Sequence, residues 1–418
     1  MKLLLPTLGS AGDVHPFLAI GRALQARGHA VEVITNPVFA SMVAAAGLAF
    51  HPVGTAAQYT DALSSPKLWH PVDGFGVFWR RMARHAMEPV FRRIESQASQ
   101  GPCLVLATPL MLGARLAQEK LGVPLVTAYT AATMLRSCEY PLTLAHWRVP
   151  RLPDMLLRPA LKLAWQALDR FKLHPMLAAD LPALRHTLGL PPLTGSVFGQ
   201  WVHSPQAGVT LFPRWFAPAP SDWPLQVRQA GFPVYDGDKT QGLDAGLLAF
   251  LAAGEKPVVF TPGSAMGHGH AFFDAAVRAC EALGRRGVLL TTQGQQIPAD
   301  LPATVHHCAY APFGLLLPRA SALVHHGGIG NTAQALRAGL PQLITPMAFD
   351  QFDNAMRLER LGVAASVARQ DTAFNTMGSE LKILLESPSV ASACHVAAQR
   401  MALDRGLDVV CDLLESVQ

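Results

Sequence analysis

Charge is scarce in this chain. Only 15% of its 418 residues are charged, against 50% hydrophobic, a balance that suits a large α/β protein with parallel strands buried on both faces. The net charge is +5, with the basic residues scattered rather than clustered. That argues against nucleic acid as a partner and fits an anionic small-molecule substrate, or loose contact with an anionic membrane. Paired cysteines are missing as well. Cys103, Cys138, Cys280, Cys308, Cys394 and Cys411 show no CxxC spacing, so reduced cytosolic thiols are expected. No apolar run is long enough to span a bilayer, since Leu121–Leu135 is short and broken by Pro124. The opening MKLLLPTLGSAGD runs straight into a glycine turn, which marks a first strand rather than a signal peptide. A cytoplasmic protein is expected, at most peripheral at the inner membrane.

What is present is alternation. The length exceeds one ordinary core, so two domains are expected. Lys2–Thr7, Val31–Thr35 and Ala49–Val53 read as strands separated by helices over Pro16–Arg27 and Pro37–Ala46, which declares a parallel sheet. Leu104–Ala107 and Leu125–Thr127 continue it, with an amphipathic helical stretch over Asp73–Ser99. Leu211–Pro233 is proline-rich without helical period and reads as a hinge. A second unit follows, with strands at Pro257–Phe260, Val288–Leu290 and Val305–Cys308 and a helix at His270–Leu283. The expected division is residues 1–212, a linker over 213–233, a second Rossmann-like domain over 234–390, and a terminal helix over 391–418.

The segment Leu323–Asn354 carries the chemistry. A short apolar strand ends in His325-His326-Gly327-Gly328-Ile329-Gly330, and Asn331-Thr332 can cap a helix that Gly339 and Pro341 stop near Ala338. Glycines there let main-chain N–H groups approach a ligand, and the helix N-terminus behind them attracts anions. His326 adds a side-chain donor. Asp350-Gln351 follow at the mouth of the next strand, placed to hold a sugar.

This segment resembles the donor-site signature of family 1 glycosyltransferases, matching at His326, Gly328, Thr332, Ala335, Leu336, Gly339, Pro341, Pro346, Asp350, Gln351 and Asn354. The resemblance implies the α/β GT-B fold: two Rossmann-like domains whose parallel sheets face an interdomain cleft, acceptor in the first, nucleotide sugar in the second. It also implies that the terminal helix returns to the first domain. Thr261, Gly263 and Ser264 match the family's Gly-Ser loop, and Tyr310-Ala311 occupy its base-binding position, with Tyr where Trp is usual. Gln334 stands where relatives using UDP-sugars usually carry Glu; a deoxyribose offers one hydroxyl fewer, so Gln334 leans toward a dTDP-sugar. The donor set is thus Thr261, Gly263, Ser264, Tyr310, Ala311, His326, Gly328, Gly330, Asn331, Thr332, Gln334, Asp350 and Gln351.

Glycosyl transfer needs a base for the acceptor hydroxyl. Asp13 follows the first strand, where a carboxylate faces the cleft, and it stands three residues before Pro16 as in bacterial relatives with a GDxxP pattern. It is the expected base; a helix N-cap is the competing role. The diphosphate is a sufficient leaving group once its charge is met by His326, Ser264 and backbone amides, so no metal and no cofactor are expected. The acceptor side has no motif. Trp69, Phe75, Phe78, Trp79 and Met82 crowd one segment that reads either as core or as an apolar acceptor groove, with Arg80, Arg81 and Arg84 available for a carboxylate.

Further stretches, spread from Gly9 to Gly362, resemble the bacterial rhamnosyltransferases of rhamnolipid biosynthesis. That implies inverting transfer from dTDP-L-rhamnose to a 3-(3-hydroxyalkanoyloxy)alkanoate. A UDP- or dTDP-sugar transferase acting on a polyketide, sterol or phenol stays open, as does a GT-B nucleotide-sugar epimerase. A dinucleotide oxidoreductase does not fit: GSAGD is not GxGxxG, and Thr35-Asn36 stand where a ribose-binding acid belongs.

Overall fold

In a computed structural model the residues described are 1–140, 153–237, 242–267, 269–367, 371 and 375–417. Aliphatic runs such as Leu3-Leu4-Leu5 and Val258-Val259-Phe260 have no exposed surface, as strands covered on both faces require. They assemble two sheets. The first holds β1 (Lys2–Pro6), β2 (Ala30–Thr35), β3 (Ala49–Pro52), β4 (Cys103–Ala107), β5 (Leu125–Tyr129), β6 (Ala207–Thr210) and β7 (Val227–Gln229) in the order β3-β2-β1-β4-β5-β6-β7. The second holds β8 (Val258–Thr261), β9 (Gly287–Leu290), β10 (Val305–Cys308), β11 (Ala322–His325), β12 (Gln342–Ile344) and β13 (Ala364–Ser366) in the order β10-β9-β8-β11-β12-β13. Every pairing is parallel. Strand order reverses between β1 and β4 and again between β8 and β11. Ligand crevices open at the carboxyl ends of such switch points, so the loops after these strands are where chemistry belongs.

Three expectations need correction. The first helix runs Ala11–Ala26, not from Pro16, because Ser10 and Asp13 provide its N-terminal contacts a turn earlier; Pro16 lies inside it. The stretch 213–233 is not all linker: β7 lies in it and pairs with β6, while Phe216, Trp223 and Phe232 are buried in a cluster with Ile329, Leu336 and Leu358. The terminal segment is two helices. Pro388–Ala402 packs on the helix Ile329–Ala338 of the second unit, and only Gly406–Ser416 returns to the first. There Val410, Cys411, Leu413 and Leu414 join the core under β1, and Arg27 holds Asp408, Asp412 and Glu415.

Candidate active site

The two switch points face each other. A Cβ built on Gly330 would lie 3.7 Å from the Cα of Gly12, so the first turns of the helices Ala11–Ala26 and Ile329–Ala338 meet across the domains. Each helix start offers unpaired N–H groups and a positive dipole end, and the cleft they share favours an anion. The second helix starts at Ile329 with Gly328 as its N-cap, three residues before the expected cap at Asn331. Asn331 and Gly330 thus lie in its first turn, while Thr332 is fully buried and its Oγ1 has no partner among the described residues.

Asp13 sits at the rim of this cleft. Its Oδ2 accepts from the Ser10 N–H at 2.7 Å and from Ser10 Oγ at 3.1 Å. Gly9 cannot carry a side chain there: its φ is +136° and a Cβ would lie 2.2 Å from Oδ2. The capping role read as a competitor is therefore real but occupies one oxygen. Among the other described residues, none donates a hydrogen bond to Oδ1. Burial pushes the Asp13 carboxyl up, against the opposing pull of the Ser10 contacts. His15, its neighbour, packs against Tyr235 with ring centroids 5.5 Å apart and is held neutral by burial, its pKa pushed down to about 4.

Asp350 faces Asp13 from the second domain. Burial, and then the Asp13 charge, push its carboxyl up to about 7, although Asn354 Nδ2 donates to Oδ2 at 2.7 Å. An unfolded Asp ionises near ~4, so the folded form binds the extra proton between about pH 4 and about 7. The stabilisation from that proton is complete below the window and lost above it. We expect the melting-temperature difference between the parent and Asp350→Asn to fall across this window and level off above it. A difference that stays flat in thermal melts across it would remove the Asp13–Asp350 coupling.

His326 and His325 have separate duties. His325 is fully buried; its Nδ1 accepts from the Gly327 N–H at 3.1 Å and its Nε2 meets Gln342 Oε1 at 3.0 Å. The His326 ring instead lies over two glycines: a Cβ would come within 2.7 Å of it at Gly263 and 2.4 Å at Gly328. Burial holds it neutral, with a pKa pushed down to about 4, and its Nδ1 has no partner among the described residues. A buried ring nitrogen without a partner in a cleft is a place for a ligand hydrogen bond. His326→Ala is expected to weaken nucleotide-sugar binding by ~1.5–3 kcal/mol, the range for a hydrogen bond to a charged group. Calorimetry showing parental dTDP affinity would remove the cradle assignment.

Around His326 the expected donor residues divide. Ser264 is exposed, while Thr261 Oγ1 accepts from the Gly263 N–H at 3.3 Å and so shapes the loop. Tyr310 is 56% exposed and Ala311 is buried. Two residues are tied up in ways no spacing revealed. The Gln351 Oε1 accepts from the N–H groups of Met347 and Ala348, at 2.8 and 3.1 Å, so only its amide nitrogen is left for a sugar hydroxyl. Gln334 donates to the Tyr235 carbonyl at 3.0 Å and accepts from Arg337 at 2.8 Å, so a ribose contact requires this network to open.

The acceptor set divides more sharply. Phe78, Trp79 and Met82 are buried in the core of the first domain, with Trp79 only 2% exposed. The expected groove-lining role is corrected for these three: an apolar helix face looks the same in sequence whether it meets core or ligand. Trp69 and Phe75 are half-buried. Trp69 meets Phe349 edge to face at 6.2 Å, immediately before Asp350. Phe349 has a φ of +56°, a conformation costly for a bulky residue, and nothing in the sequence announced it. Of the three arginines, Arg81 pairs with Asp61 and Arg84 with Asp180, while Arg80 has no acidic partner among the described residues.

Residues 3–138 match the glycosyltransferase family 28 N-terminal domain, and residues 286–415 match the erythromycin biosynthesis protein CIII-like C-terminal domain. The O-mycaminosyltylonolide 6-deoxyallosyltransferase of Streptomyces fradiae is 30% identical over 99% of this chain and 97% of its own. The vancomycin aglycone glucosyltransferase of Amycolatopsis orientalis is 29% identical over 95% and 93%. Among solved structures, the glycosyltransferase VinC in complex with dTDP shares the fold with a TM-score of 0.69 at 21% identity, covering 99% of this chain and 98% of its own. The opposed switch points, the glycine-bound His326 and these relatives agree: the chain belongs to the family 1-like GT-B glycosyltransferases and is an enzyme that takes its sugar from a nucleotide donor.

Proposed function

We propose that the enzyme moves L-rhamnose from dTDP-L-rhamnose to the hydroxyl of a 3-(3-hydroxyalkanoyloxy)alkanoate, with inversion and without metal or cofactor. The observation that carries the chemical step is the open Oδ1 of Asp13 on a carboxyl raised by burial. That oxygen takes the acceptor proton as the hydroxyl oxygen attacks the anomeric carbon, and the departing diphosphate meets His326, Ser264 and the helix start at Gly328–Asn331. The 6-deoxy sugar is supported by the S. fradiae relative, whose name gives it a 6-deoxyallosyl donor group. The acceptor is supported by half-buried Trp69 and Phe75, with Arg80 in the same segment to meet a carboxylate. A lipid-like acceptor makes peripheral contact with the inner membrane part of the same reading. A polyketide-like acceptor is the second reading, favoured by the O-mycaminosyltylonolide in that relative's name.

Nucleotide choice is the direct test. A thermal-shift panel should show dTDP raising the melting point more than UDP, and dTDP-L-rhamnose should outperform UDP-glucose as donor. Gln334→Glu should narrow the dTDP-over-UDP gap by offering a carboxylate to both ribose hydroxyls. The same change sets a carboxylate oxygen against the Tyr235 carbonyl, so overall stability should fall. The ratio of the two affinities is therefore the readout. A parent that prefers UDP-glucose, or product formed only with a macrolide-type aglycone, would replace the rhamnolipid reading.

A further inference from the structure

The helix Asp154–Leu168 and the π turn Asp169–Leu173 that extends it carry large apolar side chains pointing into solvent. Met155 is 81% exposed, Leu163 65% and Phe171 70%. Leu156 is exposed too, and Leu156, Leu163 and Phe171 recur at intervals of seven and eight residues. A π turn takes up one extra residue, so the eight-residue step keeps Phe171 on the stripe that a seven-residue step would continue. Exposed Lys162, Arg170 and Lys172 flank this stripe, with Arg170 over the Phe171 ring at 5.9 Å, while Arg158 pairs with Glu139 at 2.9 Å. The acidic residue of the turn, Asp169, faces inward, where Arg136 holds both its oxygens at 2.8 Å.

The opposite face is anchored. Trp165 Nε1 donates to the Ser137 carbonyl at 3.2 Å, and the Arg136 guanidinium lies 4.8 Å from the Trp165 ring. Arg136 and Ser137 follow β5 on its carboxyl end, the side on which the cleft opens. The exposed stripe is thus fixed to the body of the protein beside the cleft. Among the described residues no helix is long and apolar enough to cross a membrane.

We propose that this face is a docking surface for an anionic lipid bilayer, on which the segment lies in the headgroup region with Leu156, Leu163 and Phe171 inserted. The flanking cations select the occupant. An apolar stripe bordered by three basic side chains and no exposed acid among residues 155–173 matches the negative headgroup layer and the acyl boundary beneath it. The proposal gives a specific surface to the peripheral contact stated above, and it rests on that reading only for its purpose, since lipid binding needs neither donor nor acceptor.

The test uses the full-length enzyme in flotation with phosphatidylcholine vesicles, with and without added phosphatidylglycerol. The parent should bind the anionic vesicles, and added salt should weaken the binding. The pair Leu163→Glu with Phe171→Glu should lower partitioning by about tenfold or more. Lys162→Glu with Lys172→Glu should lose the preference for anionic lipid, by roughly fivefold per charge removed. Leu248→Glu, which alters an exposed apolar residue of the second domain, should change nothing. Far-ultraviolet circular dichroism and donor hydrolysis check that each variant is folded. A parent that stays with the soluble fraction, variants that float as well as the parent, or a dimer that the Leu163/Phe171 pair dissociates would overturn the proposal. If vesicles are not bound but rhamnosyl transfer persists, the transfer reading stands alone; if they are bound and transfer fails, only the surface stands.

Discussion

Asp13→Asn should lose on the order of 10²–10⁴ in turnover while keeping its affinity for the donor. The substitution is chosen for what it preserves. An Asn side-chain oxygen still accepts from the Ser10 N–H, so the helix start that Oδ2 secures stays in place. The open Oδ1, however, no longer belongs to a group that can take a proton. A second readout separates chemistry from mere structure. Asp13 is one of three causes that push Asp350 up, after burial and ahead of Asp353, so the variant should lower the pH at which Asp350 ionises. The melting-temperature difference between Asp13→Asn and the double variant carrying Asp350→Asn should then level off at a lower pH than in the parent background. Near-parental turnover would end the assignment of Asp13 as base. A lost turnover with an unmoved Asp350 would leave the base and dismiss the pairing.

Trp79→Ala should cost about 3–5 kcal/mol of folding stability, the range for deleting a large aromatic from a core. Trp79 packs with Phe78, Met82, Val90 and Phe91 beneath the first sheet and is 2% exposed. Per mole of folded enzyme, the acceptor KM should hardly move. Trp69→Ala should do the reverse, because Trp69 is half-buried against Phe349 at the cleft: little stability lost, a raised acceptor KM, and a flatter dependence on acyl chain length. Urea unfolding beside steady-state kinetics on both variants decides the matter. An acceptor KM that rises in Trp79→Ala at unchanged stability would mean that the groove reaches the core.

The second sheet was the most legible part of the chain. Continuous aliphatic runs bounded by glycine and proline leave little choice of state, and His270–Leu283 and Val305–Cys308 have the bounds their periodicity gives. Gly339 closes its helix in the left-handed region, as its place before Pro341 indicates. The start of the first helix was legible in principle: Ser10 followed by an acid at 13 is a capping-box pattern, but Pro16 offered a stronger local signal. Other features have no local signal at all. β7 is three residues long in a proline-rich stretch and exists because β6 presents an edge. Which face of the Trp69–Met87 run turns inward is decided by neighbours in space: the helix Ala56–Ser64 packs on Trp79–Ala83, and the helix Leu112–Leu121 packs on Arg84–Ala98, which continues the run. The glycine-rich motif located the anion site, yet only the folded chain shows that the Gln351 and Gln334 amides already hold protein partners.

The return of Gly406–Ser416 to the core beneath β1 means that the chain passes between the domains twice, once after β7 and once near Arg405. Topologically the second domain is an insert in the first. Two covalent connections, unlike one, act as a pair of pins, and the swing of one domain about the other is confined to rotation around the line that joins them. The same fact sets the cutting points for building hybrids with relatives. An exchanged donor domain must be taken between those passages, with residues 406–417 left to the host. A hybrid joined only once, after β7, would carry a foreign helix into the host's hydrophobic layer and leave Arg27 without Asp408, Asp412 and Glu415.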